Sequence, residues 1–342
     1  MVQYFTHLCR LSLAALTVFV LTACDQGSSN SSSSSSGSSS GATGASSSSS
    51  SSSPSALSTA AVDCPYNGTY TGSYSTAGTM TATWSWTCTG GRRNLTGNGL
   101  PNHSVGNFPN LGNPNTISAQ FVSSSMTLTP TKAASNVLLG GPQGVIAYAR
   151  NSVKFDPGTA GTCPSTATVA SMCNLANGTD TLRLEALGPN DGSRVFDFGV
   201  DTNNAHVQPG GVYHYHGVPE GLLTNAVVSG SPIKMVLVGW AADGYPVYAR
   251  YCYSSAMDAT SALKVCKGSY ALVAAPVAGR PAIYWAPLGW FTQDWTYSAG
   301  SGDLDDCNGR TGVTPEFPSG IYYYMVTDTY PYYGRCLKGP IN

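Results

Sequence analysis

Three of the chain's five histidines, His206, His214 and His216, fall within eleven residues. Neutral imidazole offers a ring nitrogen lone pair, the donor that zinc and copper sites use most often. His214 and His216 stand one residue apart in Gly210–Gly217 (GGVYHYHG). On a strand they share one face, and Tyr213 and Tyr215 share the other. His206 lies upstream across Pro209-Gly210-Gly211, a turn able to fold it back onto them. His103, in the Pro-, Gly- and Asn-rich stretch NGLPNHSVGNFPN, is the fourth candidate ligand. Nitrogen ligands with one open position predict a centre for zinc or copper. The same residues also suit a metal-free arrangement, in which each ring bonds a backbone carbonyl and knits loops together.

The remaining candidates add weaker chemistry. Asp243 in AADGYP and Glu220, four residues past His216, are candidate general bases beside a metal-bound water. Asp243 also suits a second-sphere acceptor for a histidine N–H, and Asp-Gly is equally a plain turn signal. Asp303, Asp305, Asp306 and Asn308 suggest calcium, but they lack the EF-hand order and its terminal Glu, which favours a solvated loop. Trp84, Trp86, Trp285, Trp290 and Trp295 would form a sugar-stacking platform if exposed and core if buried; core is the expectation. No G-x-S-x-G elbow, H-E-x-x-H or phosphate-binding G-x-x-x-x-G-K-[ST] occurs.

The elements that must carry these residues read as short strands. Thr79–Thr87, Ala119–Leu128, Val145–Ala149, Ile233–Trp240 and Ile321–Thr327 are short segments marked by β-branched and aromatic residues, between Gly-, Pro- and Asn-rich breaks. The best helical candidate is Met257–Val265, which has no strong caps. The expected class is all-β or β-rich α+β, one domain over residues 62–342 with long loops. A balance of 16 basic against 17 acidic residues leaves no cationic face for phosphates, so nucleic acid is excluded as a partner.

The N-terminal part reads as export and tethering. Residues 1–23 have a single basic residue, Arg10, and a short apolar run ending in Leu21-Thr22-Ala23-Cys24, which resembles a bacterial lipobox. Cleavage there leaves Cys24 as the lipidated N-terminus, anchored to a membrane. Residues 24–61 are dominated by Ser and Gly and form a tether with a reach of about 30 Å. The domain is thus expected in the periplasm or at the cell surface, with either membrane possible. Past Cys9 and Cys24, eight cysteines remain: Cys64, Cys88, Cys163, Cys173, Cys252, Cys266, Cys307 and Cys336. Their even number behind an export signal predicts four disulfides, paired nearest neighbour to nearest neighbour.

Tyr213-His214-Tyr215-His216 resembles the signature of the YHYH-domain family. Further blocks resemble it too: Asn98–Asn110, KFDPGTA from Lys154, LRLEALG from Leu182, DTNNAHVQPGG from Asp201, VGWAADGYPVYARY from Val238, and Leu304–Cys336. The resemblance spans about Asn98 to Lys338 and implies a single domain holding all four mature histidines; it implies no reaction. One internal echo accompanies it: Gly320–Met325 (GIYYYM) repeats the pattern of Gly211–His216, with Tyr323 and Met325 where the histidines stand. Met325 is a candidate soft ligand for copper or, more ordinarily, a core residue. The leading expectation is a tethered lipoprotein that binds a transition metal through histidines. The alternatives are a module binding polysaccharide or another surface ligand, with structural histidines, and a metal-dependent enzyme.

Overall fold

The computed structural model describes residues 57–138, 144–189, 195–227 and 233–341. The leader, Cys24 and most of the tether lie outside them. Four strands open the fold as an antiparallel meander: β1 (Tyr66–Ser73), β2 (Thr79–Thr89), β3 (Arg92–Gly97) and β4 (Val122–Thr127). Alternation sets its two faces: Ala82, Trp84 and Trp86 of β2 are buried, whereas Thr81 and Thr83 are exposed.

Beyond it follow β5 (Val137–Leu138), β6 (Ala147–Ala149), β7 (Lys154–Phe155), β8 (Thr162–Cys163), β9 (Leu182–Arg183), β10 (Ala205–Gln208), β11 (Val212–Tyr215), β12 (Met235–Ala241), β13 (Pro246–Tyr253), β14 (Leu263–Val265), β15 (Tyr270–Leu272), β16 (Trp295–Tyr297), β17 (Gly309–Gly312), β18 (Ile321–Val326) and β19 (Cys336–Leu337). Nine of them build the main sheet, in the order β10-β11-β7-β6-β12-β13-β18-β17, with β14 on β13. The rest pair off as β5 with β19, β8 with β9 and β15 with β16. Every residue of β18 is buried, which suits a strand covered on both faces and explains its unbroken apolar and aromatic run.

One apolar core joins the meander to the main sheet, with Trp86, Leu95, Met126, Phe155, Tyr215, Trp240 and Tyr324 among its members. Arg93 is buried within it, its guanidinium 3.4 Å from the centre of the Trp240 ring. The carbonyls of Val62 (2.6 Å) and Thr59 (2.8 Å) accept its protons, which makes a buried cation tolerable. Phe196, Phe198, Trp290 and Phe291 form a smaller cluster under the loops between β7 and β10.

The fold is predominantly β, and each of the five segments expected as strands overlaps one. Four disulfides close nearest neighbours: Cys64–Cys88, Cys163–Cys173, Cys252–Cys266 and Cys307–Cys336. The helix expected over Met257–Val265 does not form. Asp258 accepts bonds from the Thr260 amide (2.8 Å) and hydroxyl, which fixes a turn, and Leu263–Val265 pairs with β13. The one α-helix among the described residues is α1 (Glu220–Ala226).

Candidate metal centre

The β10–β11 hairpin brings the histidines together. Its register sets His206 opposite His214, and cross-strand partners share a face. The turn needs glycine at its tip: Gly210 and Gly211 have φ of 90° and 84°. A Cβ on Gly211 would also meet Ser118 Oγ at 2.0 Å. His216 follows β11, and its amide donates to the Asn204 carbonyl at 2.8 Å, so it stays on the face of His214.

The three rings make a nearly equilateral triangle. Centroids lie 4.6 Å apart for His206–His214 and 4.7 Å for each of the other two pairs. One ligating atom from each falls within 4.8 Å of the others, and the Nε2 atoms of His206 and His216 are 3.1 Å apart. His206 Nδ1 lies 2.8 Å from the Phe198 carbonyl and His214 Nδ1 lies 3.1 Å from that of Val212. A carbonyl only accepts, so both Nδ1 atoms carry the proton and both Nε2 atoms keep a lone pair. That is the outer-sphere arrangement that orients ligating histidines. Burial disfavours the imidazolium at all three, and their mutual repulsion and Lys154 reinforce it at His214 and His216. The rings are therefore neutral near pH 7, the form that binds metal.

Lys154 and Asp156 adjoin the triad through β7, which pairs with β11 in parallel and sets Lys154 opposite His214. Lys154 Nζ donates to Asp156 Oδ2 (2.8 Å) and Gln208 Oε1 (2.7 Å). Asp156 Oδ1 is buried without a hydrogen-bond partner. A cavity of about 240 Å³ opens here, lined by His206, His214, Asp156, Gln208, Asn113 and Phe198 among others. Lys154, Asp156 and Asn113 were not singled out from the sequence; KFDPGTA was the signal that held two of them.

His103 does not join the triad. Its Nε2 meets the Tyr215 hydroxyl at 2.6 Å and its Nδ1 the Ser104 carbonyl at 2.9 Å. Strand alternation turns Tyr215 away from the triad, so His103 serves the tyrosine face. Glu220 opens α1 and bonds Arg250, which also bonds Asp328. Asp243 is buried in the β12–β13 turn, its Oδ2 accepting from Tyr324 (2.6 Å) and the Gly339 amide (2.9 Å). Neither carboxylate lines the cavity beside the triad. Met325 lies in β18, separated from β11 by β7, β6, β12 and β13, and belongs to the core.

The acidic group before β17 braces loops: Asp303 bonds Lys264, Asp305 accepts from Tyr322, and Asp306 bonds Lys338. Trp84, Trp86 and Trp290 are buried, and Trp295 stacks on Tyr330 at 4.3 Å. These side chains form no open tryptophan platform. Cys252, Cys266 and Asp303 also cluster, but the two sulfurs share a disulfide and present no thiolate.

A family model described as YHYH protein matches residues 123–339, more than half of the chain, and the chain belongs to that family. The matched stretch includes the triad, Lys154 and Asp156, and begins after His103. No curated protein and no solved structure matches the chain.

Proposed function

We propose that this YHYH-family domain binds one transition-metal ion, zinc or copper, through His206, His214 and His216. The observation that carries the reading is the convergence of three buried, neutral imidazoles, two with Nδ1 already bonded to a carbonyl and Nε2 left unprotonated. Three nitrogen ligands with a fourth position open to a cavity match the donor set of both metals. The cavity has room for water or a small ligand at that position, and Asp156 Oδ1 is an unused acceptor in its wall. This leaves the domain suited to metal capture or to metal-assisted chemistry on a small molecule.

In the same reading the domain is exported, with Cys24 lipidated and residues 24–61 holding it away from a membrane. The oxidised cysteines support an oxidising compartment.

A second reading has one observation in its favour. The 3.1 Å contact between His206 and His216 is also hydrogen-bond distance, with His216 Nε2–H donating to the lone pair of His206. The triad would then be a metal-free knot. Metal analysis of untagged protein after dialysis against zinc and, separately, copper decides between them. One tightly held equivalent is expected, and none at micromolar metal rejects the proposal.

A further inference from the structure

Apart from β14, the main sheet reads the same from both ends. Outward from its centre, β6 pairs antiparallel with β7 and β7 parallel with β11, which pairs antiparallel with β10; β12, β13, β18 and β17 repeat that series. The halves meet where β6 pairs with β12, Ala149 opposite Gly239, Tyr148 opposite Trp240 and Ala147 opposite Ala241. The flanking bonds, Arg150 amide to Val238 carbonyl and Ala242 amide to Ile146 carbonyl, exchange under the same two-fold.

Side chains follow the backbone. Asp201 Oδ2 accepts from Tyr213 at 2.8 Å, and Asp305 Oδ2 accepts from Tyr322 at 3.0 Å. The carbonyls of Asp201 and Asp305 each accept at 3.0 Å from an asparagine amide, Asn204 and Asn308. Both asparagines are left-handed, with φ of 54° and 58°. Their carbonyls accept from His216 (2.8 Å) and Met325 (2.9 Å). Asn151 bonds Tyr215 and the Val153 amide, as Asp243 bonds Tyr324 and the Tyr245 amide. Hydrogen bonds this specific, at matching positions on both sides of one axis, are not a product of strand propensity.

We infer that the sheet is two copies of one hairpin–crossover–hairpin unit, and that the second copy holds a dormant counterpart of the histidine site at Arg310, Tyr323 and Met325. These residues occupy the positions of His206, His214 and His216, because Arg310 pairs with Tyr323 as His206 pairs with His214. Arg310 Nε donates to the Tyr323 hydroxyl at 2.7 Å and its Nη2 to the Tyr253 carbonyl at 2.6 Å, which closes the position without an ion. Tyr248 stands where Asp156 does and packs on Tyr323, ring centres 5.4 Å apart, where the first copy keeps its cavity. Of the two copies, the first alone carries three histidines at these positions. The metal half of this inference rests on the proposed function.

Two variants test it. R310H/Y323H/M325H should raise zinc bound per chain from one equivalent to two, measured by elemental analysis after equilibrium dialysis. One equivalent in both proteins overturns the inference while leaving the proposed function standing. The reciprocal H206R/H214Y/H216M needs no metal and covers a triple variant that fails to fold, or a wild-type chain that binds no zinc. It should keep the wild-type near-ultraviolet dichroism and a cooperative thermal transition, and its collapse overturns the equivalence of the two frames.

Discussion

His206 and His216 meet Nε2 to Nε2 at 3.1 Å, while the other nitrogen of His206 already faces the Phe198 carbonyl at 2.8 Å. The bond to Phe198 fixes the tautomer of His206, so its lone pair points at His216 and into the triad. His103, also buried, uses both nitrogens on Tyr215 and Ser104. Histidines within one small domain are thus sorted by what their Nδ1 and Nε2 atoms touch.

That sorting predicts opposite outcomes for two substitutions. His216→Ala should abolish metal binding and leave the four disulfides intact. His103→Ala should keep full metal stoichiometry and cost about 1–3 kcal/mol of stability, since the buried Tyr215 hydroxyl, which still accepts from Asn151, loses the acceptor for its own proton. Metal loss in the His103 variant would place that residue among the ligands after all.

Burial sets the pH response of the site. All three rings are held below the ordinary imidazole range, chiefly by desolvation. Protons therefore compete with metal only below about 6.5, the ordinary value, instead of around it. For the metal-free chain the unfolded state binds more protons than the folded one between the depressed values and 6.5. The triad's contribution is then complete above about 6.5 and is lost as pH falls from there towards the depressed values. Zinc titrations and denaturant curves between pH 5 and 8 check both; affinity already falling above pH 7 would contradict the first.

The disulfides predict that thiol titration of the unreduced, denatured mature domain finds no free cysteine. Each bridge contributes roughly 2–4 kcal/mol, largely by restricting the unfolded chain. Reduction should lower the melting temperature by tens of degrees or abolish the cooperative transition. Two or more reactive thiols would refute the pairing.

For the tether, Cys24→Ser should move the protein from the membrane fraction to the soluble fraction of its host, with the domain's fold unchanged. A variant that still sediments with membranes would remove the lipid anchor from the proposal.

The triad was legible because strand alternation has a period of two, so histidines one residue apart had to share a face. His206 was within reach because Pro209-Gly210-Gly211 announces a turn. His103 misled because a Pro-, Gly- and Asn-rich stretch carries no periodicity, so the face it meets is set by tertiary packing. Lys154 and Asp156 escaped notice because β7, only two residues long, is too short to show alternation. The echo between Gly211–His216 and Gly320–Met325 was visible, but Asn151 and Asp243 matter through hydrogen bonds that only the folded turns create.

Asp243 yields the sharpest test of those turns. Burial lifts its carboxyl to about 6, against bonds from Tyr324, Gly339 and Tyr245 that favour the ionised form. A raised carboxyl binds a proton in the folded state that the unfolded state has already released. Stability therefore falls as pH rises from the ordinary value near 4 to about 6, and the penalty is full above it. Asp243→Asn removes this penalty, and Asn151 already shows an asparagine serving the equivalent turn, bonding Tyr215 at 3.0 Å and the Val153 amide at 3.2 Å. The variant's Nδ2 no longer accepts from the Tyr324 hydroxyl or the Gly339 amide, which both donate to Oδ2, a cost of about 1–3 kcal/mol that does not vary with pH. Relative to the wild type it should gain on the order of 2 kcal/mol between pH 4 and pH 8 in urea denaturation. A difference in stability that stays flat over that range would mean that Asp243 holds its charge in the folded protein at no penalty.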